Sequence, residues 1–161
     1  MDFPEPISPA ELDARLERAL AIAQELGFVG EVQYRHANSN SRGASYFLAP
    51  IIEQDMLIVY AAAFSRDAAG DDFSLEAIIA HERGHQLLHR DVQLLRVRPN
   101  EMSESTEEVL ASLVGSLIVQ DARDGEMLEM KTIFELMNRG MRMSDAVDLV
   151  KKNLALLEEI L

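Results

Sequence analysis

The chain has 161 residues and a formal net charge of −13, from 15 lysine and arginine residues against 28 aspartate and glutamate residues. This length suits a single domain over residues 1–161, and a hydrophobic fraction of 48% is enough to build a core without disulfides. The absence of cysteine excludes disulfides, thiolate metal sites and cysteine nucleophiles. Because an acidic protein repels phosphate backbones, we expect no direct nucleic-acid partner.

The N-terminal segment does not resemble a signal peptide, because residues 1–20 lack both a basic start and a long apolar run. No stretch approaches the roughly 18 apolar residues that are needed to span a bilayer. The longest apolar run, near Met56 to Phe64, has the length of a strand. We therefore expect a cytoplasmic protein with no membrane partner.

The first predicted element is a helix that opens at Ser8. Pro9 suits the first helical position, and Glu11 is placed to close a capping box with the serine. Apolar residues then recur at helical spacing until Gly27, which supplies a stop.

Three strands are predicted next. Residues 30–37 alternate like a half-buried strand, and residues 44–48 follow a polar turn and suit the returning strand of a hairpin. Residues 55–64 predict a third strand because β-branched and aromatic side chains mark their start. Residues 66–72 predict a loop.

The second half of the chain is predicted to be helical. The expected helices cover residues 74–90, 105–118 and 127–137, and the last helix begins at Ser144. Gly125 is expected to separate the second of these helices from the third. The last helix carries a wide apolar face formed by Val147, Val150, Leu154, Leu157 and Leu161, with Leu149, Leu156 and Ile160 beside them. Such a face must dock on this domain or on a second subunit, so a homo-oligomer through this helix is one expectation.

The most informative segment is His81-Glu82-Arg83-Gly84-His85, an H-E-x-x-H motif within a predicted helix. Side chains four residues apart lie on one helix face, so both imidazoles can reach one metal ion from the same side. Glu82 is rotated away from them but still borders the ion, where it can take a proton from a metal-bound water. The ion lowers the pKa of that water to about 7.

A chance match on a surface helix is the alternative, because the pattern is short. Apolar residues 78–80 run directly into the motif, which indicates a half-buried helix and favours the metal site. We expect zinc, although Mn, Fe, Co and Ni also occupy sites made of two histidines and a carboxylate.

A catalytic zinc site has three protein ligands and an open position, and the candidates for the third ligand are Asp91, Glu107 and Glu108. Asp91 has the offset from His81 of a metzincin ligand, but metzincins need a glycine where this chain has Leu88. Glu107 leads a different helix face from Glu108.

Glu108 is favoured because small residues lie below it on its helix face and would let two helices approach closely. These small residues are Ala111, Ser112 and Gly115. A capping box between Ser105 and Glu108 is the competing local role for this carboxylate.

Other polar residues are weaker candidates. His89 continues the four-residue spacing, but at 1.5 Å per residue it lies roughly 12 Å along the helix axis from His81 and cannot share the ion. It is either a residue beside the metal site or a partly exposed histidine at the end of the helix. A hydrolase also needs a donor that stabilises the oxyanion, and no one candidate is favoured. The candidates are Tyr34, His36, Tyr46 and Tyr60.

The run HERGHQLLHRD, followed by E-x-x-A-S-x-x-G, resembles a gluzincin and, more narrowly, the ImmA/IrrE-like metallopeptidases. The resemblance covers residues 55–119. It implies His81 and His85 as metal ligands, Glu108 as the third ligand and Glu82 as the general base. The expected fold is a minimal zincin-like α+β domain, with a small three-stranded sheet packed on the H-E-x-x-H helix and a helical extension over residues 126–161.

We therefore predict a zinc-dependent metallopeptidase that hydrolyses a protein or peptide substrate through a metal-activated water, with Glu82 as general base. The alternative is a non-catalytic zincin-fold regulatory or protein-interaction module whose metal is structural or absent. An open coordination position near Glu82 favours the enzyme, whereas a fourth protein ligand such as Asp91 favours the module.

Overall fold

The computed structural model describes residues 6–36, 43–49, 54–97 and 102–161. These residues form seven helices and a three-stranded mixed sheet, which confirms the predicted α+β class. The strands are β1 (Glu31–Arg35), β2 (Ala44–Phe47) and β3 (Met56–Tyr60). The helices are α1 (Pro9–Glu25), α2 (Ala61–Ala69), α3 (Leu75–Arg90), α4 (Val92–Val97), α5 (Glu104–Ile118), α6 (Ala122–Asn138) and α7 (Met143–Ile160). Within the described ranges, no helix has the length and apolar character that a membrane crossing requires.

The sheet has β3 at its centre, in the order β1-β3-β2. β1 runs parallel to β3 with Val32 opposite Leu57, and β2 runs antiparallel to it with Tyr46 opposite Leu57. The predicted hairpin between residues 30–37 and 44–48 is therefore wrong, and most of the polar turn between them lies outside the described residues. β3 takes the centre because it is the most apolar strand, and a central strand is the one best covered by its neighbours.

The third strand is shorter than predicted. Residues 55–64 were expected to be extended, but β3 ends at Tyr60 and α2 begins at Ala61. A run of three alanines starts α2, and alanine is the strongest helix former. The expected loop over residues 66–72 is instead the end of α2 and a turn, which begins at Gly70 with a φ of 76°.

Serine caps set the starts of two helices as predicted. The Oγ atoms of Ser8 and Ser74 each accept a hydrogen bond from a backbone N–H of the first turn, at 3.1 Å. The side chain of Glu11 does not close a capping box in α1 but pairs with Arg15 at 3.1 Å. Gly27 follows the end of α1 with a φ of 81°, which is the left-handed conformation that glycine favours.

Later helix starts differ from the prediction. Ser103, not Ser105, caps α5, because the Ser103 Oγ accepts a hydrogen bond from the Thr106 N–H at 3.2 Å. α6 begins at Ala122 and includes Gly125, so this glycine does not interrupt the helix. A Cβ at Gly125 would lie 3.1 Å from a carbonyl oxygen of α5, so the two helices pass close to each other at this residue. The short helix α4 was not predicted.

α3 and α5 pack closely through small residues. A Cβ on Gly84 would overlap the backbone carbonyl oxygen of Ala111, and a Cβ on Gly115 would lie 3.0 Å from the backbone of Ala80. Ser112 is fully buried in the same interface. This confirms the prediction that small residues of the later helix permit a close approach, and it places the two helices that carry the motif residues side by side.

Two of the hydrophobic clusters among the described residues flank this helix pair. The first lies among α1, the sheet and the start of α3, and its buried residues include Ala23, Leu57, Val59, Leu75 and Ile79. The second lies among the later helices, and its buried residues include Leu88, Leu113, Val114, Val150 and Leu157. α3 contributes to both cores, so its position is fixed from both ends.

The apolar face of α7 is only partly used within the domain. Val150 and Leu157 are buried in the second core, whereas Leu149, Leu156 and Leu161 are exposed by 38%, 48% and 47%. Assembly of two copies through this helix stays a prediction.

Candidate metal centre

His81, His85 and Glu108 bring three ligand atoms together between α3 and α5. His81 Nε2 lies 3.1 Å from Glu108 Oε2, and His85 Nε2 lies 3.0 Å from Glu108 Oε1. The two Nε2 atoms are 3.1 Å apart. Ligand atoms of a tetrahedral zinc site, with bonds of roughly 2.0–2.1 Å, are about 3.3 Å apart. The spacing of these donors therefore fits a single metal ion.

The outer nitrogen of each imidazole has a hydrogen-bond partner. His81 Nδ1 is hydrogen-bonded to the Ser112 hydroxyl at 2.9 Å, and His85 Nδ1 donates to Glu107 Oε2 at 2.7 Å. Such partners fix the ring orientation and leave the Nε2 lone pair for a metal ion. Lone pairs that converge on a carboxylate repel one another unless a cation lies between them, so the donor set favours a metal cation.

Glu107 accepts hydrogen bonds from two histidines, His85 and His89, and is not one of the three converging ligands. Its second oxygen accepts a hydrogen bond from His89 Nε2 at 2.7 Å. His89 is thus placed beside the metal centre and is linked through Glu107 to His85. This position agrees with the expectation that His89 lies too far along α3 to share the ion.

Asp91 also lies outside the group of three. α3 continues through Leu88 without the reversal that a metzincin needs, and it ends at Arg90. The Asp91 Oδ1 accepts hydrogen bonds from the backbone N–H groups of Gln93 and Leu94, both at 3.0 Å, at the start of α4. The Asp91 carboxylate therefore caps the first turn of α4.

The early start of α5 removes the competing role of Glu108. Because Ser103 caps the helix, the capping box between Ser105 and Glu108 does not form. Glu108 instead lies far enough along α5 to meet the histidines of α3. The third member of the group is therefore placed by the cap position and by the small residues below it.

Burial and hydrogen bonds shift the pKa values of all three residues. Burial lowers the pKa of the His81 imidazole to about 4, so the ring is neutral at pH 7. Burial opposes ionisation of Glu108, but hydrogen bonds with both histidines hold the pKa of its carboxyl well below the usual range. Burial also works against a charge on His85, yet hydrogen bonds with Glu108 and Glu107 raise its pKa overall. The cluster therefore attracts positive charge.

Glu82 lies at the edge of an open cleft next to the group. It is buried, with 7% of its surface exposed, and it lines the cleft together with His81 and Glu108. The cleft has a volume of about 900 Å³ and is bounded by α3, the start of α5 and α6. The general base predicted from the sequence therefore shares one solvent-connected space with two of the three ligand residues.

No family model, curated protein or solved structure matches the chain. What the centre can do therefore follows from its own residues and distances.

None of the four candidate oxyanion donors, Tyr34, His36, Tyr46 and Tyr60, lines this cleft. The hydroxyl of Tyr34 is bonded to Arg15 and His36, at 2.8 and 2.9 Å, on the α1 side of the sheet. Tyr46 donates to Asp55 at 2.9 Å, and Tyr60 is buried at the end of β3. A different residue must therefore supply the hydrogen bond that stabilises the oxyanion of the substrate.

Sequence reasoning also missed a buried carboxylate that ties α3 to the sheet. Asp55, at the start of β3, accepts hydrogen bonds from Tyr46 and Gln86, both at 2.9 Å, and from Arg90 at 2.7 Å. Burial disfavours its charge, but the hydrogen bonds from Arg90 and Gln86 hold its pKa well below the usual range. The four-residue spacing of Gln86 and Arg90, directly after the motif, is the pattern that could have indicated this contact.

Proposed function

We propose that this protein is a zinc-dependent metallopeptidase of the gluzincin type. His81, His85 and Glu108 would hold the ion, and Glu82 would act as general base. The observation that carries the proposal is the convergence of three ligand atoms beside a buried glutamate in an open cleft. Two imidazoles and one carboxylate are a common ligand set of catalytic zinc, which keeps a further position open.

The fold supports the same proposal. A three-stranded sheet lies beside the helix that carries the motif, and the helix that carries Glu108 packs closely against the same helix. We propose on this basis a minimal zincin-like domain similar to the ImmA/IrrE-like metallopeptidases, with α6 and α7 as its helical extension. A polypeptide segment is the proposed substrate, because the cleft beside the centre is open to solvent and has a volume of about 900 Å³.

When bound, the ion would supply a Lewis acid that polarises the peptide carbonyl and acidifies water. Glu82 would accept a proton from a water molecule while the water oxygen adds to the carbonyl carbon. The same proton would pass to the amide nitrogen as the C–N bond breaks, which leaves a carboxylic acid and an amine. Ser112 and Glu107 would keep the two imidazoles in their orientations throughout.

The variant Glu82→Gln is expected to retain zinc and to lose hydrolysis by at least about 10²-fold, because the amide has the size of the carboxylate but accepts no proton. Cleavage is measured by mass spectrometry as new peptide termini in a tryptic digest of a bacterial proteome, with equal zinc loading. Glu104→Gln is the matched control, since Glu104 lines the same cleft but is exposed.

Cleavage by Glu82→Gln at the wild-type rate would refute the role of this residue. A zinc-loaded wild type that cleaves nothing in the digest, while it binds the metal tightly, would favour the non-catalytic regulatory module instead.

A further inference from the structure

The proposed hydrolysis needs a cation or hydrogen-bond donor near the carbonyl oxygen, which gains negative charge as water adds. The tyrosines and the histidine considered above do not line the cleft. In the described part of the chain, the cations that line the cleft are Arg66, Lys131 and Arg139. These three side chains differ in the hydrogen bonds and ion pairs that they make with their neighbours.

Arg66 is held by other groups. Its guanidinium makes two hydrogen bonds to Asp72, at 2.9 and 3.0 Å, and lies over the ring of Phe73. Arg139 donates to the backbone carbonyl of Ser105 at 3.3 Å, away from the histidines.

Lys131 lies next to the metal centre. Its Nζ is 3.4 Å from the Ser112 Oγ, and this oxygen is 2.9 Å from Nδ1 of His81. The ammonium is also 3.5 Å from a carboxylate oxygen of Glu135. Both distances exceed the roughly 2.7–2.9 Å of strong charge-assisted hydrogen bonds, so little is lost when the ammonium turns toward a better acceptor.

The helix that carries Lys131 is packed into the domain on both sides of this residue. Leu128 and Thr132 flank the lysine on α6 and are buried, with 1% and 0% of their surfaces exposed. The lysine side chain itself is 29% exposed and faces the cleft. The Lys131 side chain can therefore place its ammonium group in the cleft from a backbone position that is held by packing.

We propose that the Lys131 ammonium binds the oxygen of the peptide carbonyl under attack. This inference rests on the proposed peptidase function and adds a residue to it. The ammonium would leave the Ser112 hydroxyl, donate to the substrate oxygen and offset the negative charge that develops there. Glu135 would keep the ammonium near the centre when no substrate is bound.

The test uses a dipeptide phosphoramidate, whose tetrahedral phosphoryl oxygens mimic the charged oxygen. Its affinity is measured by calorimetry on the zinc-loaded full chain as wild type, Lys131→Met and Lys131→Arg. We expect Lys131→Met to weaken binding about 10- to 100-fold, as the loss of a hydrogen bond between charged groups does. Lys131→Arg retains the charge and should restore most of the affinity.

The control is Lys151→Met, an exposed lysine on α7 that should bind the probe as the wild type does. Lys131→Gln provides a second neutral side chain should the methionine variant fold poorly. Zinc content is measured for each variant. If Lys131→Met loses zinc, the lysine acts on the metal ligand through Ser112, and the inference is overturned.

Two other outcomes separate this inference from the function on which it rests. Unchanged probe affinity in the fully zinc-loaded Lys131→Met and Lys131→Gln variants would overturn the role of the lysine and leave the peptidase intact. No binding of the phosphoramidate by the zinc-loaded wild type would count against both.

Discussion

Gly84→Ala is expected to separate α3 from α5 and to remove the metal centre. The added methyl group would overlap the carbonyl oxygen of Ala111, which is backbone and cannot rotate away. We expect the free energy of unfolding to fall by about 3 kcal/mol, at the upper end of overpacking in a core. Because Glu108 lies on the displaced helix, zinc affinity should fall in the same variant.

The measurement is urea unfolding followed by circular dichroism, together with zinc content after dialysis. Gly125→Ala is the matched control, since it makes the same change in a helix where the new methyl group would lie 3.1 Å from a carbonyl oxygen. There the gain in helix propensity, about 1 kcal/mol, offsets the tighter contact, so little net change is expected. Wild-type stability and zinc content in Gly84→Ala would show that the two helices do not pack as closely as described.

Asp55→Asn should lower the free energy of unfolding by about 1–3 kcal/mol at neutral pH, because it leaves a buried hydrogen-bond donor without its acceptor. The carboxylate is 6% exposed and accepts hydrogen bonds from β2 and from two residues of α3. Asparagine has the same size as aspartate, but its side-chain NH₂ group would face hydrogen-bond donors of Tyr46, Gln86 or Arg90 and could not accept from them. The expected result is a looser attachment of α3 to the sheet.

The same residue makes stability depend on pH. The pKa of Asp55 is lower in the folded protein than in the unfolded chain, where it is about 3.9. Its contribution is therefore complete above that value and is lost as the pH falls below it toward the folded-state pKa. Between pH 5 and pH 2.5, the wild type should lose more stability than Asp55→Asn.

Urea unfolding at several pH values measures both effects. Asp13→Asn, a change at an exposed position of α1, is the control and should follow the wild type. Equal stability of Asp55→Asn and wild type at pH 7, with the same slope in acid, would remove Asp55 from the account of what holds α3 in place.

The helical part of the fold could be predicted because its information is local. Serine caps and apolar residues at helical spacing located α1 and α3, and the small residues of α5 predicted a close helix pair. Strand order is different, since it depends on which strand is best buried by residues far away in the chain. For this reason the hairpin prediction failed and β3 was not recognised as the centre.

The metal group could be anticipated for a related reason. H-E-x-x-H encodes two ligands one helical turn apart, so their geometry follows from the helix alone. The position of Glu108 depended on where α5 begins, and Ser103 rather than Ser105 decided this. The hydrogen bonds of Glu107 to His85 and His89, and the approach of Lys131 from α6, arise only from tertiary packing and have no spacing that predicts them.

Zinc content per chain tests the central claim most directly. It is measured by elemental mass spectrometry on the wild type, Glu108→Ala, Glu107→Ala and the exposed control Glu104→Ala, after dialysis against a zinc buffer. The account predicts about one zinc per wild-type chain, loss of zinc in Glu108→Ala, and about 10- to 100-fold weaker binding in Glu107→Ala. Wild-type zinc in Glu108→Ala, or no zinc in any of the four proteins, would contradict it.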